Sequence, residues 1–272
     1  MHRLGIVTGC FRGMAFEDAL AAVSSLGCRY IELPLNAHWH GESLECYLDD
    51  PAAMRELLAA DGLVVIAAGG WTDFVQPIPA ATDRQIAKLN HFIDIASSLG
   101  CPTVRILGGV PKPAIPEGQW IPLVIEGLRQ CIPHAEEDGV TLCLENHGTL
   151  CNDMESLRRI VSEVGSSRLR LTLDPSNFRW AGHPVKVVHE TLRELAPLAG
   201  YVHLKNGDGR SGPRDHYVPT CLEDGEMSLE LFVRELHRAR YRGDYAIDYD
   251  GGEEARAAME RNLEFARMLL AE

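Results

Sequence analysis

Four residues that can bind a divalent metal ion stand at the ends of four successive strand-like segments in the second half of the chain. They are Glu145 in TLCLENHG, Asp174 in LRLTLDPSN, His203 in YVHLKN and Asp248 in YAIDYDG. Carboxylate oxygens and imidazole nitrogens are common ligands of divalent metals. Steps of 29, 29 and 45 residues separate the four, so each falls on its own strand. This spacing predicts one site built from neighbouring strands.

Side-chain alternation extends the pattern, because residues two positions apart on a strand share a face. The face that carries the four candidates then also carries His147, Thr172, Ser176, Lys205 and Asp250. The opposite face carries Leu142, Leu144, Leu171, Leu173, Val202, Leu204 and Ile247. We therefore expect a polar mouth above a packed core.

A cation would resolve the charge problem that such a mouth creates. Isolated acids at strand ends often cap the next helix, and this is an equal alternative for Asp174 taken alone. Three buried carboxylates together repel one another and lose hydration, which a divalent ion offsets. Three carboxylates and one imidazole favour Mn²⁺, with Mg²⁺, Co²⁺ or Zn²⁺ as alternatives. Asp250 competes with Asp248 as the fourth ligand.

The elements that would position these residues alternate regularly along the chain. Strand-like runs begin near Leu4, Tyr30, Leu63, Thr103, Thr141, Leu169, Tyr201 and Asp244. Amphipathic stretches separate them, and seven of these are followed by Gly27, Gly62, Gly100, Gly139, Gly165, Gly200 or Gly243, where a helix end favours a left-handed residue. Eight βα units in 272 residues predict a single (β/α)₈ barrel domain over residues 1–272.

Two features qualify this fold prediction. A doubly wound open sheet shows the same alternation, although the first strand lacks the GxGxxG motif of its dinucleotide-binding form. Pro133 predicts a kink or an early end in the fourth helix. The long segments 69–81, 108–119 and 206–227 follow strands, where a barrel builds its active-site loops.

Composition narrows the function classes. The chain is 46% hydrophobic with no run long enough to cross a bilayer, and its first residues resemble no signal peptide, so we expect a cytoplasmic protein with no membrane partner. Its eight cysteines form no CxxC pair. A net charge of −13 opposes binding to nucleic-acid phosphates.

The motifs carry a family resemblance that covers nearly the whole chain. HFIDIASSLGCPTVRI, LCLENHG, LTLDPSN, VHLKN and YRGDYAIDYDG resemble, in this order, segments of the sugar phosphate isomerase/epimerase family of xylose-isomerase-like TIM barrels. The resemblance implies metal ligation by Glu145, Asp174, His203 and Asp248, with His147, Asn177 and Lys205 facing the substrate. Barrels of this family often associate, so the resemblance is also compatible with a homo-oligomer.

The expected chemistry is proton transfer next to a metal-bound carbonyl through an enediolate, on a small keto sugar or related polyol. Glu145 is the candidate base, with Asp248 or Asp250 as its partner, and Lys205 binds an oxyanion or donates a proton. The chain departs from the family with Asp248, where glutamate is usual, and with Asn206 after HLK, where aspartate is common. The shorter Asp248 weakens a two-base epimerase and favours a one-base isomerase or a lyase.

Other residues are candidates for contacts with a substrate. Glu32 ends the second strand and either binds a sugar hydroxyl or forms an ion pair, whereas a buried salt bridge is preferred for Arg105. Arg210 and His216 lie in the long seventh loop. Trp71 and Phe74 are expected to form an apolar wall.

Four function classes follow from these residues. A metal-dependent isomerase or epimerase leads, and a lyase that dehydrates an inosose or keto sugar through the same enolate is the alternative. A phosphoester hydrolase would need more histidine ligands than this chain places on strands. A non-catalytic binding barrel would not need all four ligand positions.

Overall fold

Eight parallel strands close into a barrel in the computed structural model, which describes residues 2–36, 50–209, 217–251 and 255–271. The barrel strands are β1 (Leu4–Val7), β2 (Tyr30–Pro34), β3 (Val64–Gly70), β4 (Thr103–Ile106), β5 (Thr141–Glu145), β6 (Leu169–Leu173), β7 (Ala199–Leu204) and β10 (Asp244–Ile247). Each pairs with its neighbours in sequence, and β1 pairs with β10 to complete the ring. The predicted (β/α)₈ barrel is confirmed, and the open sheet is excluded.

Helices follow the strands and cover the outside of the barrel. They are α1 (Phe16–Ser25), α2 (Pro51–Ala60), α3 (Pro79–Ser98), α4 (Trp120–Glu137), α5 (Met154–Val164), α6 (Pro175–Trp180), α7 (Val185–Leu195), α8 (Leu229–Arg238) and α9 (Ala255–Ala271). A short antiparallel pair, β8 (Asn206–Asp208) and β9 (Val218–Thr220), lies in the loop after β7. Within the described ranges, no helix combines the length and apolar character of a membrane span.

Most of the predicted helix ends are confirmed, with corrections at Gly200, Gly243 and Pro133. Gly27, Gly62, Gly100, Gly139 and Gly165 have positive φ angles near 70°. Gly200 lies inside β7, and Gly243 has no positive φ, because Arg240 takes the left-handed position after α8 with a φ of 59°. Helix α4 continues through Pro133 to Glu137, so the early end expected there is wrong.

The two faces of the strands follow the predicted alternation. Leu142, Leu144, Leu171, Leu173, Val202, Leu204 and Ile247 belong to the large core between strands and helices. A smaller cluster inside the barrel contains Val7, Ile66, Ala67, Cys143, Tyr201 and Ala246. Three of its members stand two residues before Glu145, His203 and Asp248, so this apolar plug forms the floor beneath the predicted site.

Asn206 fixes the start of the seventh loop. Its amide nitrogen donates to the carbonyls of Leu222 and Met227, and its amide oxygen accepts from the nitrogens of Gly207 and Met227. Asn206 therefore ties the end of β7 to Leu222 and Met227.

Candidate metal and active site

The strand ends bring the predicted ligands together at the carboxyl-terminal mouth of the barrel. Glu145, Asp174 and His203 are at most 2% exposed. His203 Nδ1 lies 3.5 Å from Glu145 Oε1, 3.8 Å from Asp174 Oδ2 and 3.9 Å from Asp248 Oδ2. The tightest group, whose ligand atoms all lie within 4.8 Å of one another, consists of Glu145, Asp174 and His203. Asp248 stands at its edge.

Two buried atoms in this group lack a hydrogen-bond partner among the residues that the structure describes. They are Asp174 Oδ2 and His203 Nδ1, and they face each other across the 3.8 Å gap. A buried polar atom without a partner costs about 1–3 kcal/mol, and more when charged. Both are atoms that ligate metals through a lone pair, so the donor set fits a divalent cation.

Asp174 serves two roles at once. Its Oδ1 accepts from the backbone nitrogens of Ser176 and Asn177 and caps helix α6, while Oδ2 faces the ligand group. The capping alternative considered from sequence is therefore observed, and it leaves the second oxygen available. Asn146 fixes the main chain here, accepting from Asp174 N at 2.7 Å and donating to Asp174 O at 2.8 Å. Sequence reasoning missed Asn146, although it lies within the ENH motif.

Glu32 lies beneath the ligands, where a substrate hydroxyl has no room to reach it. It is fully buried, and its two oxygens accept from Arg105 Nε at 2.6 Å and from His203 Nε2 at 2.7 Å. Arg105 also donates to Glu145 Oε2 at 2.6 Å. Of the two roles considered for Glu32, the structure contains the ion pair, and the buried salt bridge expected of Arg105 is present.

Lys205 joins the two candidate acids of the last barrel strand. Its Nζ lies 2.7 Å from Asp248 Oδ2 and 2.6 Å from Asp250 Oδ2. The Asp248 side chain is 16% exposed and faces the ligands, whereas that of Asp250 is 45% exposed. The geometry thus favours Asp248 over Asp250 as the acid nearest to a cation.

The pKa directions indicate that the positive charges near these carboxylates neutralise them only in part. Burial raises the pKa of Asp174, and the nearby His203 and Lys205 offset this only in part. Burial alone would raise the pKa of Glu145, but the charge of Arg105 and the nearby imidazoles of His147 and His203 hold it well below its ordinary value. Burial alone would lower the pKa of His203, yet Glu32, Asp174 and Glu145 raise it well above the usual range.

Mutual attraction keeps Lys205 and Asp248 charged. Burial opposes both charges, but their mutual attraction raises the pKa of Lys205 well above its ordinary value and lowers that of Asp248. A permanently charged Lys205 suits binding of an oxyanion better than donation of a proton.

Two adjoining cavities open above this group. The inner one, of about 180 Å³, is lined by Trp71, Arg105, Glu145, His203 and Asp248, among others. The outer one, of about 320 Å³, is lined by His147, Asn177, Trp180, Lys205, Tyr217, Pro219 and Asp250. His147, Lys205 and Asp250 border both, so one small molecule can reach the ligands from the outer space.

Phe74 has a different environment from the one expected, whereas Asn177 faces the cavity as predicted. Phe74 is fully buried and packs against Gly127 of α4, so it belongs to the core and forms no wall of the cavity. Asn177 lines the outer cavity and also donates to Glu145 Oε1 at 2.9 Å. Arg210 and His216 lie outside the described residues, so their predicted contacts stay predictions.

A second group of metal-type side chains lies far from this mouth. Asp94 on α3 and His134 and Asp138 at the end of α4 form an outer cluster with partly or fully exposed members. In the part of the chain that the structure describes, the barrel mouth therefore holds one buried metal-type group.

Comparison with known proteins identifies relatives. A family model described as xylose isomerase-like TIM barrel matches residues 20–269. The chain is 22% identical over 195 residues to a 2-oxo-tetronate isomerase of Pectobacterium atrosepticum, covering 68% of each chain. It is 29% identical over 182 residues to a 2-epi-5-epi-valiolone 7-phosphate 2-epimerase of an Actinoplanes species, covering 61% of this chain and 63% of the relative.

Solved structures share the fold. A xylose isomerase-like TIM barrel protein from Mycobacterium smegmatis in complex with magnesium superimposes with a TM-score of 0.79 at 18% identity, covering 99% of this chain and 96% of that one. The IOLI protein with a bound zinc atom gives a TM-score of 0.80 at 17% identity, covering 99% and 98%.

Proposed function

The chain belongs to the xylose isomerase-like TIM barrel family, and we propose that it is a divalent-metal-dependent isomerase or epimerase of a small keto sugar or related polyol. One observation carries the proposal. Asp174 Oδ2 and His203 Nδ1 converge without hydrogen-bond partners among the described residues, beside a cavity that His203, Asp248 and Lys205 line. Isomerase and epimerase activities of the two sequence relatives agree with it.

Glu145, Asp174 and His203 would hold the metal, and Asp248 is the candidate for a fourth ligand. When bound, a divalent ion supplies Lewis-acid stabilisation of negative charge on a substrate oxygen. Mn²⁺ remains our first choice for this oxygen-rich set, while Mg²⁺ and Zn²⁺ are the metals found in two structural neighbours.

Asp248 is the better placed of the two candidate bases. Glu145 is held on both oxygens, by hydrogen bonds from Arg105 at Oε2 and from Asn177 at Oε1. The Asp248 side chain is more accessible; Lys205 donates to its Oδ2 at 2.7 Å, and Oδ1 accepts a longer contact of 3.9 Å from Cys10 Sγ. We propose that Asp248 removes the proton next to the substrate carbonyl and returns it to the adjacent carbon, with Glu145 mainly a ligand.

The remaining polar residues would bind and orient the substrate. Lys205 presents a permanent positive charge between the two cavities and is placed to attract the oxygen that becomes negative. His147, whose ring meets Trp71 edge to face at 5.8 Å, and Asn177 face the same space. The cavities are small, which supports a monomeric sugar over a polymer.

The test is proton exchange in D₂O. The purified protein is incubated with Mn²⁺ or with EDTA and a panel of ketoses, inososes and 2-oxo sugar acids, and NMR follows deuterium entry beside the carbonyl and any new product. We expect EDTA-sensitive exchange with at least one member, lost in Asp248→Asn. Loss of a hydroxyl group from the substrate would identify the lyase. No exchange together with no bound metal would reject the proposal.

A further inference from the structure

A ring of buried charges, open between Glu145 and His203, links these two candidate ligands from below. Glu32 on β2 bonds to Arg105 on β4, Arg105 bonds to Glu145 on β5, and His203 on β7 bonds back to Glu32, each at 2.6 or 2.7 Å. The four residues are between 0% and 7% exposed. Four strands of the barrel therefore meet in one hydrogen-bonded unit beneath the cavity.

The backbone of β3 makes room for this ring. A Cβ atom at Gly69 would lie 2.5 Å from Arg105 Nη2 and 2.6 Å from Glu32 Oε1. Gly69 stands opposite Pro34 of β2 and Arg105 of β4 in the sheet, so it occupies the gap that the two charged side chains cross. Any larger residue there would have to displace one of them.

Stability alone does not account for burying these charges. Apolar side chains of similar volume often replace a buried ion pair with no loss of stability, because desolvation offsets much of the attraction. The ring does something that apolar packing cannot do. It fixes which atoms of Glu145 and His203 point upward, toward the cavity.

We propose that Glu32 and Arg105 are positioning residues for the metal ion. Glu32 accepts from Nε2–H of His203, which leaves Nδ1 on the side of Asp174 Oδ2 and the cavity. Arg105 holds Glu145 Oε2, which leaves Oε1 on the side of His203 Nδ1. The inference rests on the metal site of the proposed function.

The experiment measures Mn²⁺ affinity by titration, together with the melting temperature of the metal-free protein. It compares the wild-type protein with Glu32→Gln and with the double variant Glu32→Leu/Arg105→Met. Loss of a residue that orients a metal ligand typically weakens affinity about 10–100-fold. We expect that loss in both variants, while the apolar pair brings the melting temperature of the double variant close to that of the wild type.

A spectroscopic readout separates positioning from packing. With Zn²⁺ bound, ¹⁵N NMR should locate the proton of wild-type His203 on Nε2 alone, and the double variant should lose this single pattern. Asp244→Asn is the matched control, because it weakens the Arg3–Asp244 ion pair at the opposite end of the barrel. It should change neither the His203 signal nor the affinity.

The outcomes distinguish the two proposals. Failure of wild-type protein to bind Mn²⁺ would overturn the metal site and this inference with it. Wild-type binding that the double variant matches, with an unchanged His203 signal, would overturn the inference alone and leave the proposed function standing.

Discussion

Charges are arranged in opposite ways at the two ends of the barrel. At the amino-terminal end, Arg3 Nη2 lies 2.5 Å from Asp244 Oδ2, and the backbone nitrogen of Arg3 donates to Asp244 Oδ1 at 3.0 Å. At the carboxyl-terminal end, Glu145, Asp174 and Asp248 surround one imidazole, and two ligand-type atoms have no hydrogen-bond partner within the described ranges. The first arrangement joins two strands, whereas the second leaves two atoms available to bind a metal ion.

The two ends of the barrel contribute differently to the stability of the fold. Satisfied pairs at one end support the fold, while the other end concentrates like charges that a cation would neutralise, as expected for the active-site face of a barrel. Substitutions at the two ends should therefore separate metal binding from stability.

The largest effect is expected from His203→Ala. Removal of this imidazole takes away one of the unpartnered atoms, so Mn²⁺ affinity should fall by more than about 100-fold, beyond the loss typical of an outer partner. Titration calorimetry measures the affinity. His189→Ala on the outer helix α7 is the control, and an equal loss there would contradict the ligand assignment.

Asp248→Asn should chiefly affect catalysis. A positioned acid or base typically contributes about 10²–10⁴-fold to rate, so deuterium exchange should slow by that factor. Metal affinity should fall less than in His203→Ala, because Asp248 stands at the edge of the ligand group. The more exposed Asp250→Asn serves as control, and a larger loss of exchange in that variant would reverse the two assignments.

Metal affinity should rise with pH. The pKa of His203 is raised well above 6.5, so the metal-free protein holds this imidazole protonated near neutrality, and the metal must displace about one proton. Affinity should increase until pH passes the raised pKa. Calorimetry in buffers of different ionisation enthalpy counts the released protons, and a flat affinity between about pH 6 and 8 would contradict this displacement.

The same shift has a stability consequence for the metal-free protein. A raised folded-state pKa gives stabilisation that is full below the unfolded value of about 6.5 and is lost as pH rises through the folded value. Melting temperature against pH, with and without Mn²⁺, reports this loss.

The smallest effect is expected from Asp244→Asn. The ion pair with Arg3 is partly exposed, so its loss should cost about 1 kcal/mol or less in the free energy of unfolding. Denaturant titration measures the change. A drop in Mn²⁺ affinity of more than about threefold would show that the two ends of the barrel are coupled.

The sequence predicted the barrel and the convergence of the ligands because both follow from periodicity. Strand starts at Leu4, Tyr30, Thr103, Thr141, Leu169 and Asp244 agree with the structure, and the two-residue alternation correctly placed Leu142, Leu144, Leu171 and Leu173 in the core between strands and helices. Local patterns of this kind depend on neighbouring residues alone.

Contacts between distant strands were harder to predict. The link from Glu32 to His203 spans 171 positions, and no local pattern encodes it. Gly243 shows that a local pattern can also give a wrong prediction. A glycine after a helix indicates a left-handed helix end, yet Arg240 takes that conformation here. Phe74 was assigned to the cavity from its loop, whereas packing against Gly127 removes it from solvent.

One carboxylate connects the ligand group to a wall of the outer cavity. Asp174 caps helix α6 through Oδ1 and faces the ligands through Oδ2, and α6 carries Asn177 and Trp180, which line that cavity. Charge drawn toward a cation at Oδ2 is charge withdrawn from the amides of Ser176 and Asn177. Amide hydrogen exchange at these two residues should therefore change when metal binds, which makes the first turn of α6 an internal reporter of occupancy.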